Sequence, residues 1–120
     1  MTDVAQTTTR PPAGVRLCAL DDLQIVGTRG FRFGEGRTQF AGFLVRTGRG
    51  VHGYVDSCPH AGWRLSATDD YLNRDRTFIV CAGHGALFRV GDAVGVTAPC
   101  DGAQLDTWPV EVREGEVFTA

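Results

Sequence analysis

The sequence predicts an all-β fold, an antiparallel sandwich or small barrel, and three observations carry that expectation. Short runs rich in β-branched and aromatic residues recur along the chain. Turn sequences separate them, drawn from sixteen glycines and five prolines in 120 residues. No window longer than a single turn has the apolar period of a helix.

Residues 1–14 end in Arg10-Pro11-Pro12-Ala13-Gly14 and offer few apolar groups to offset the entropy of ordering them. They are expected to form a flexible arm before a single domain over residues 15–120. Val15–Leu20 reads as a first strand, and Ala19–Leu23 as one short turn around Asp21-Asp22. Arg29–Phe33, Gln39–Arg46 and Val51–Val55 follow, set off by Gly34-Glu35-Gly36 and Gly48-Arg49-Gly50. Thr77–Cys81, Ala86–Val90 and Ala93–Val96 come next, the last two joined at Gly91-Asp92. Trp108–Arg113 and Glu116–Thr119 form a hairpin about Glu114-Gly115.

Composition narrows the function classes. A net charge of −2 gives no reason to expect nucleic acid as a partner, which would require a basic patch. All twelve basic residues are arginine, which reads as a compositional bias of the source. No run approaches the roughly 18 apolar residues of a membrane span. The first ten residues are polar, without a signal-peptide core, which makes cytoplasmic the expected location. Four cysteines allow two disulfides, but in such a chain paired Cys/His spacing points to metal.

Two segments carry the chemistry: Cys58-Pro59-His60-Ala61-Gly62-Trp63 and Cys81-Ala82-Gly83-His84-Gly85-Ala86-Leu87-Phe88. The pattern is C-x-H, twenty residues, then C-x-x-H. Each half offers one thiolate and one imidazole from a turn that follows a predicted strand. Glycines after each histidine let backbone amides come close, as a group with sulfide acceptors requires. A structural zinc is the competing reading of the same set. Zinc sites more often pair like ligands, C-x-x-C or H-x₃₋₅-H, than one Cys and one His in each half.

The two segments resemble the cluster-binding loops of the Rieske family, C-x-H and C-x-x-H-G. The similarity covers residues 51–98 as a cluster-binding region and Trp108–Thr119 as the final hairpin. It implies a Rieske-type antiparallel fold with a small cluster-binding subdomain and one 2Fe–2S cluster. By position, Cys58 and Cys81 would hold one iron and His60 and His84 the other. Ala98-Pro99-Cys100 falls where the family often places a third, proline-containing loop.

Charge counting then sets the expected potential. Two ferric ions, two sulfides and two thiolates sum to zero, whereas an all-cysteine cluster is anionic before it takes an electron. Reduction is therefore easier than in plant-type ferredoxins, within a family range of about −150 to +300 mV. The added electron is expected on the histidine-bound iron. High-potential members carry an extra cysteine in each loop and hydroxyls near the sulfurs. This chain has Ala61-Gly62-Trp63, Ala82-Gly83, Ala86 and Phe88 there, which implies a low-potential, ferredoxin-like centre.

The resemblance implies an electron carrier rather than an enzyme, taking electrons from a flavin-dependent ferredoxin reductase and passing them to a terminal oxygenase or similar oxidoreductase. The one G-x-G-x-x-G match, Gly48–Gly53, opens no predicted helix and so is not a nucleotide fingerprint, and no facial triad for mononuclear iron is read. A fixed small subunit of a larger oxidoreductase, a zinc-stabilised binding module and a redox sensor are the other classes left open.

The remaining residues have plainer readings. Cys18 alternates with apolar neighbours and is expected to be a buried small hydrophobe, and Cys100 to pack rather than ligate. His52 reads as a strand residue. Trp63 divides evenly between a shield over the site and a core aromatic, and Trp108 is expected to pack in the final hairpin. Arg64, Arg89 and Asp69-Asp70 are read as solvated charges. Ala67–Arg76, between the two motifs, is read as a polar, exposed excursion that carries partner recognition.

Overall fold

The computed structural model describes residues 10–59, 63–83, 85–98 and 100–120. Eight strands follow one another among them: β1 (Arg16–Ala19), β2 (Gly27–Phe33), β3 (Phe40–Thr47), β4 (Gly50–Val55), β5 (Phe78–Val80), β6 (Leu87–Arg89), β7 (Val110–Arg113) and β8 (Glu116–Thr119). They form three antiparallel sheets, ordered β1-β8-β7, β2-β3-β4 and β5-β6. The all-β expectation holds. The only helical segments described are two single 3₁₀ turns, Leu20–Asp22 and Gly36–Thr38. The first coincides with the turn expected at Asp21-Asp22. No helix among the described residues is long and apolar enough to cross a membrane.

β3 organises the molecule because both of its faces are covered. Its near-continuous apolar run is what such a strand requires. Phe43 and Val45 point into one core, with Tyr54, Leu65, Tyr71, Ile79, Phe88, Leu105 and the thiols of Cys58, Cys81 and Cys100. Phe40 and Leu44 point into the other, with Cys18, Leu23, Trp108 and Val117. The period of two along one strand thus separates a base from a site-bearing end.

Trp108 fills the base. Its ring meets Phe40, Phe31 and Phe33 edge to face at centroid separations of 5.2, 6.1 and 6.2 Å. It lies flat against Gly42 of β3, where an added Cβ would come within 2.5 Å of its Cε3. Its backbone N–H donates to the Gly53 carbonyl at 2.8 Å, which covers the free edge of β4. Trp108 therefore precedes β7 and plugs the sheet interface, rather than packing within the final hairpin. The hairpin itself is as expected: Arg113 faces Glu116, and Glu114 and Gly115 both have positive φ, at 50° and 77°.

Two other expectations change. Ala93–Val96 is not a continuous strand: Val94 bridges Gln104 while Gly95 bridges Phe88. Its amides divide between two neighbours, Val96 N–H donating to Leu87 and Gly95 N–H to Ala103, so no ladder runs along it. Of the expected arm, residues 1–9 lie outside the described residues. Residues 10–14 lie along the end of β8. The Thr119 hydroxyl donates to the Pro12 carbonyl at 2.6 Å, and the Gly14 N–H donates to the Thr119 carbonyl at 2.8 Å.

Candidate metal centre

The first motif begins where β4 ends. Asp56 N–H donates to the Ala41 carbonyl of β3 at 2.9 Å, so the chain leaves the sheet one residue past the last rung. Cys58 N–H then donates to the Trp63 carbonyl at 2.8 Å, closing a six-residue loop. The second motif is the tip of the β5–β6 hairpin, whose last rung pairs Val80 with Leu87. Cys81 N–H donates to the Ala86 carbonyl at 2.9 Å, and Gly85 N–H to the Cys81 carbonyl at 2.7 Å. Ala82 N–H donates to the Leu65 carbonyl at 2.8 Å and joins the two loops directly.

Both loop cysteines are buried, Cys58 at 1% and Cys81 at 0% exposure, in one apolar cluster. Ala86 and Phe88, fully buried, belong to the same cluster. No disulfide joins any two of the four cysteines. The other two members of the predicted ligand set, His60 and His84, lie outside the described residues, as does Pro99. The described half fits an iron–sulfur group. Two soft thiol donors sit on facing loops, held together by backbone hydrogen bonds and shielded from water, without being spent on a disulfide.

A buried polar pair stiffens the first loop. Asp56, 4% exposed and two residues before Cys58, accepts the Leu65 N–H at 2.6 Å and the Tyr71 hydroxyl at 2.7 Å. Burial pushes its carboxyl up from the ordinary range, opposed by these two hydrogen bonds. Burial, and then the bond to Asp56, push the Tyr71 hydroxyl up as well. Tyr71 also stacks on Phe43 of β3, with centroids 4.1 Å apart and rings 3° from parallel.

That contact corrects the reading of Ala67–Arg76 as a wholly exposed excursion. Tyr71 and Leu72 are core residues, and the Tyr71 carbonyl accepts the Val80 N–H at 2.9 Å beside β5. Asn73 closes the turn, its side-chain oxygen accepting the N–H groups of Thr77 and Phe78 at 2.8 and 3.0 Å. Asp69 and Asp70 serve the same local structure. Asp69 accepts the Gly30 N–H at 3.0 Å and Asp70 the Leu72 N–H at 3.2 Å. A polar average over ten residues concealed two apolar anchors.

The other singled-out residues sort cleanly. Cys18 is buried in the base with Trp108, and burial pushes its thiol up, which disfavours the thiolate a metal needs. Cys100 packs in the same cluster as Cys58 and Cys81. Thr97, in the third loop, anchors β6 by accepting the Leu87 N–H on its hydroxyl at 2.9 Å. His52 lies in β4, opposite Val45. Arg64 and Arg89 are exposed, and Arg89 pairs with Asp92 at 2.9 Å. Trp63 is 54% exposed and is not a core aromatic.

A small antiparallel β-protein with two buried thiols, not joined by a disulfide, on loops beside a common core has the architecture of a metal-binding β-domain. Comparison with known proteins makes that specific. The family model of the Rieske [2Fe-2S] domain matches residues 15–109, and the chain belongs to that family. Its cofactor is a Rieske-type 2Fe–2S cluster. The chain is similar, at 30% identity and TM-score 0.67, to a chain in the complex of reduced oxygenase and oxidized ferredoxin of carbazole 1,9a-dioxygenase, covering 88% of this chain and 100% of that one. The ferredoxin of carbazole 1,9a-dioxygenase from Nocardioides aromaticivorans IC177 shares the fold at TM-score 0.69 and 23% identity, over 91% of this chain and 98% of its own. A ferredoxin of Sphingomonas yanoikuyae B1 does so at 0.64 and 21%, over 88% and 96%. No curated protein sequence matches the chain.

Proposed function

We propose that this chain is a Rieske-type ferredoxin, a one-electron carrier that accepts an electron from a flavin-dependent ferredoxin reductase and delivers it to a terminal oxygenase. In this reading Cys58 and Cys81 bind one iron and His60 and His84 the other. The domain spans residues 15–120, with the cluster-binding region at about 51–98. The carrying observation is the pair of buried thiols on two loops tied by the Ala82–Leu65 hydrogen bond, in a chain matching the full length of one from a ferredoxin–oxygenase complex. The cluster supplies one-electron storage when bound; everything else is positioning by the chain. Asp56 and Tyr71 fix the first loop, the β5–β6 hairpin fixes the second, and the apolar lining keeps water away from the thiolates.

The reading makes the chain an accessory component rather than an enzyme, acting in the cytoplasm. Full-length matches to ferredoxins support the carrier role. A terminal oxygenase of carbazole 1,9a-dioxygenase is covered over only 30% of its length. The test is anaerobic mixing of the dithionite-reduced chain, freed of excess reductant, with an oxidised Rieske-type terminal oxygenase. Return of the chain to its oxidised spectrum, with matching reduction of the oxygenase, is expected. No transfer, together with stoichiometric copurification with another oxidoreductase, would replace the shuttle by a fixed subunit.

A further inference from the structure

The aromatic that closes the first loop also touches the second. Trp63 accepts the Cys58 N–H on its carbonyl, and its side chain lies on Gly83, which stands between Cys81 and His84 in the sequence. A Cβ at position 83 would stand 2.9 Å from the indole Nε1, 3.1 Å from Cε2 and 3.2 Å from Cζ2. The indole therefore occupies the space that any other residue at 83 would fill. Gly83 is not among the glycines held at positive φ, so its backbone does not itself demand glycine. The missing side chain is used for contact. Meanwhile the indole remains half exposed, so burial of the ring in the core is not what holds it there.

We propose that Trp63 is a positioning residue for the metal centre: seated in the notch left by Gly83, its indole latches the first cysteine loop onto the second and covers the seam between them. This rests on the ligand assignment above. The backbone bond from Ala82 to Leu65 fixes the two loops at one point, and the Trp63–Gly83 contact fixes them at a second. The packed ring resists pivoting of one loop on the other about the neighbouring hydrogen bond. A packing contact of about 0.5–1.5 kcal/mol, a handful of van der Waals atom pairs, corresponds to roughly two- to thirteenfold in an opening equilibrium. Opening the seam also admits water. Water favours the more highly charged reduced state over the neutral oxidised one, so the potential rises when the latch is lost.

The notch provides its own control. Gly83→Ala keeps the backbone accessible and acts only by displacing the indole, so its effect requires Trp63 to be present. The experiment measures the reduction potential and the rate of iron loss to an excess of chelator for four proteins: unaltered, Trp63→Ala, Gly83→Ala and the double variant. Each single variant is expected to raise the potential and to lose iron about two- to thirteenfold faster. The double variant should match Trp63→Ala alone, and Trp63→Phe should restore part of the loss. Additive effects, or single variants that leave both readouts unchanged, overturn the latch while leaving the ligand assignment intact. An unaltered protein without two irons and two sulfides would overturn the ligand assignment and the latch together.

Discussion

The two ends of the molecule are held together by different physics. The base is built from two three-stranded sheets around Trp108, with long ladders in the β2-β3-β4 sheet, a tight hairpin and an almost wholly apolar interior. The site-bearing end has a two-stranded sheet of three rungs, several isolated bridges and loops whose order depends on a buried carboxylate and a phenol. The base has what a small β-domain needs to fold on burial alone. The other end has three thiols in its core, two of them on the loops proposed to hold the cluster, and metal binding there would add rigidity. Stability and function are thus loaded onto opposite faces of β3.

The contrast is broken most severely at Trp108. Trp108→Ala should cost about 3–5 kcal/mol in denaturant unfolding, because it empties the centre of the base among Phe40, Phe31 and Phe33. Protein that remains folded should keep an unchanged visible spectrum. Release of iron with little loss of stability would show that the base and the site are not separable.

Tyr71→Phe probes the other end with a smaller effect. It removes the donor to a buried Asp56 oxygen, a loss of about 1–3 kcal/mol that falls on the first loop. Iron loss to chelator should accelerate, while stability falls less than for Trp108→Ala. Equal losses of stability in the two variants would place the Asp56–Tyr71 pair in the global fold instead of the loop.

Tyr54 connects the two ends and gives the mildest signal. From β4 its hydroxyl donates to the Val90 and Gly91 carbonyls, both at 3.1 Å. Burial pushes its ionisation up from 10 to about 12. The folded state favours the neutral phenol, so this contribution is complete below pH 10 and is lost as pH rises to about 12. The stability difference between the unaltered chain and Tyr54→Phe should be constant up to pH 10 and shrink above it. A difference that grows over that interval would contradict the assignment.

How much of this was legible in the sequence follows the same division. Strands with strong alternation or a continuous apolar run, such as β3 and β4, fall where the residue pattern places them, and so does the Glu114-Gly115 hairpin. Residue type and spacing were enough to single out the two Cys/His segments and the family they resemble, whose model matches the chain. The Asp56–Tyr71 pair was not legible, because its members are 15 residues apart and meet only across a folded loop. An acidic residue directly after an apolar strand and before a cysteine was the available signal. Ala93–Val96 had a strand's composition but no partner with free edge groups along its whole length. Trp63 could not be placed, because its position depends on an absent side chain at Gly83 on another loop.

The central claim is that Cys58 and Cys81 lie buried to hold a redox cluster, and its most direct test is composition. Iron, zinc and acid-labile sulfide should be measured on anaerobically purified protein, with the visible spectrum taken before and after dithionite. The account predicts the two irons and two sulfides per chain of a 2Fe–2S group, with reversible bleaching. One zinc per chain and no sulfide, in protein never exposed to air or chelator, would contradict it.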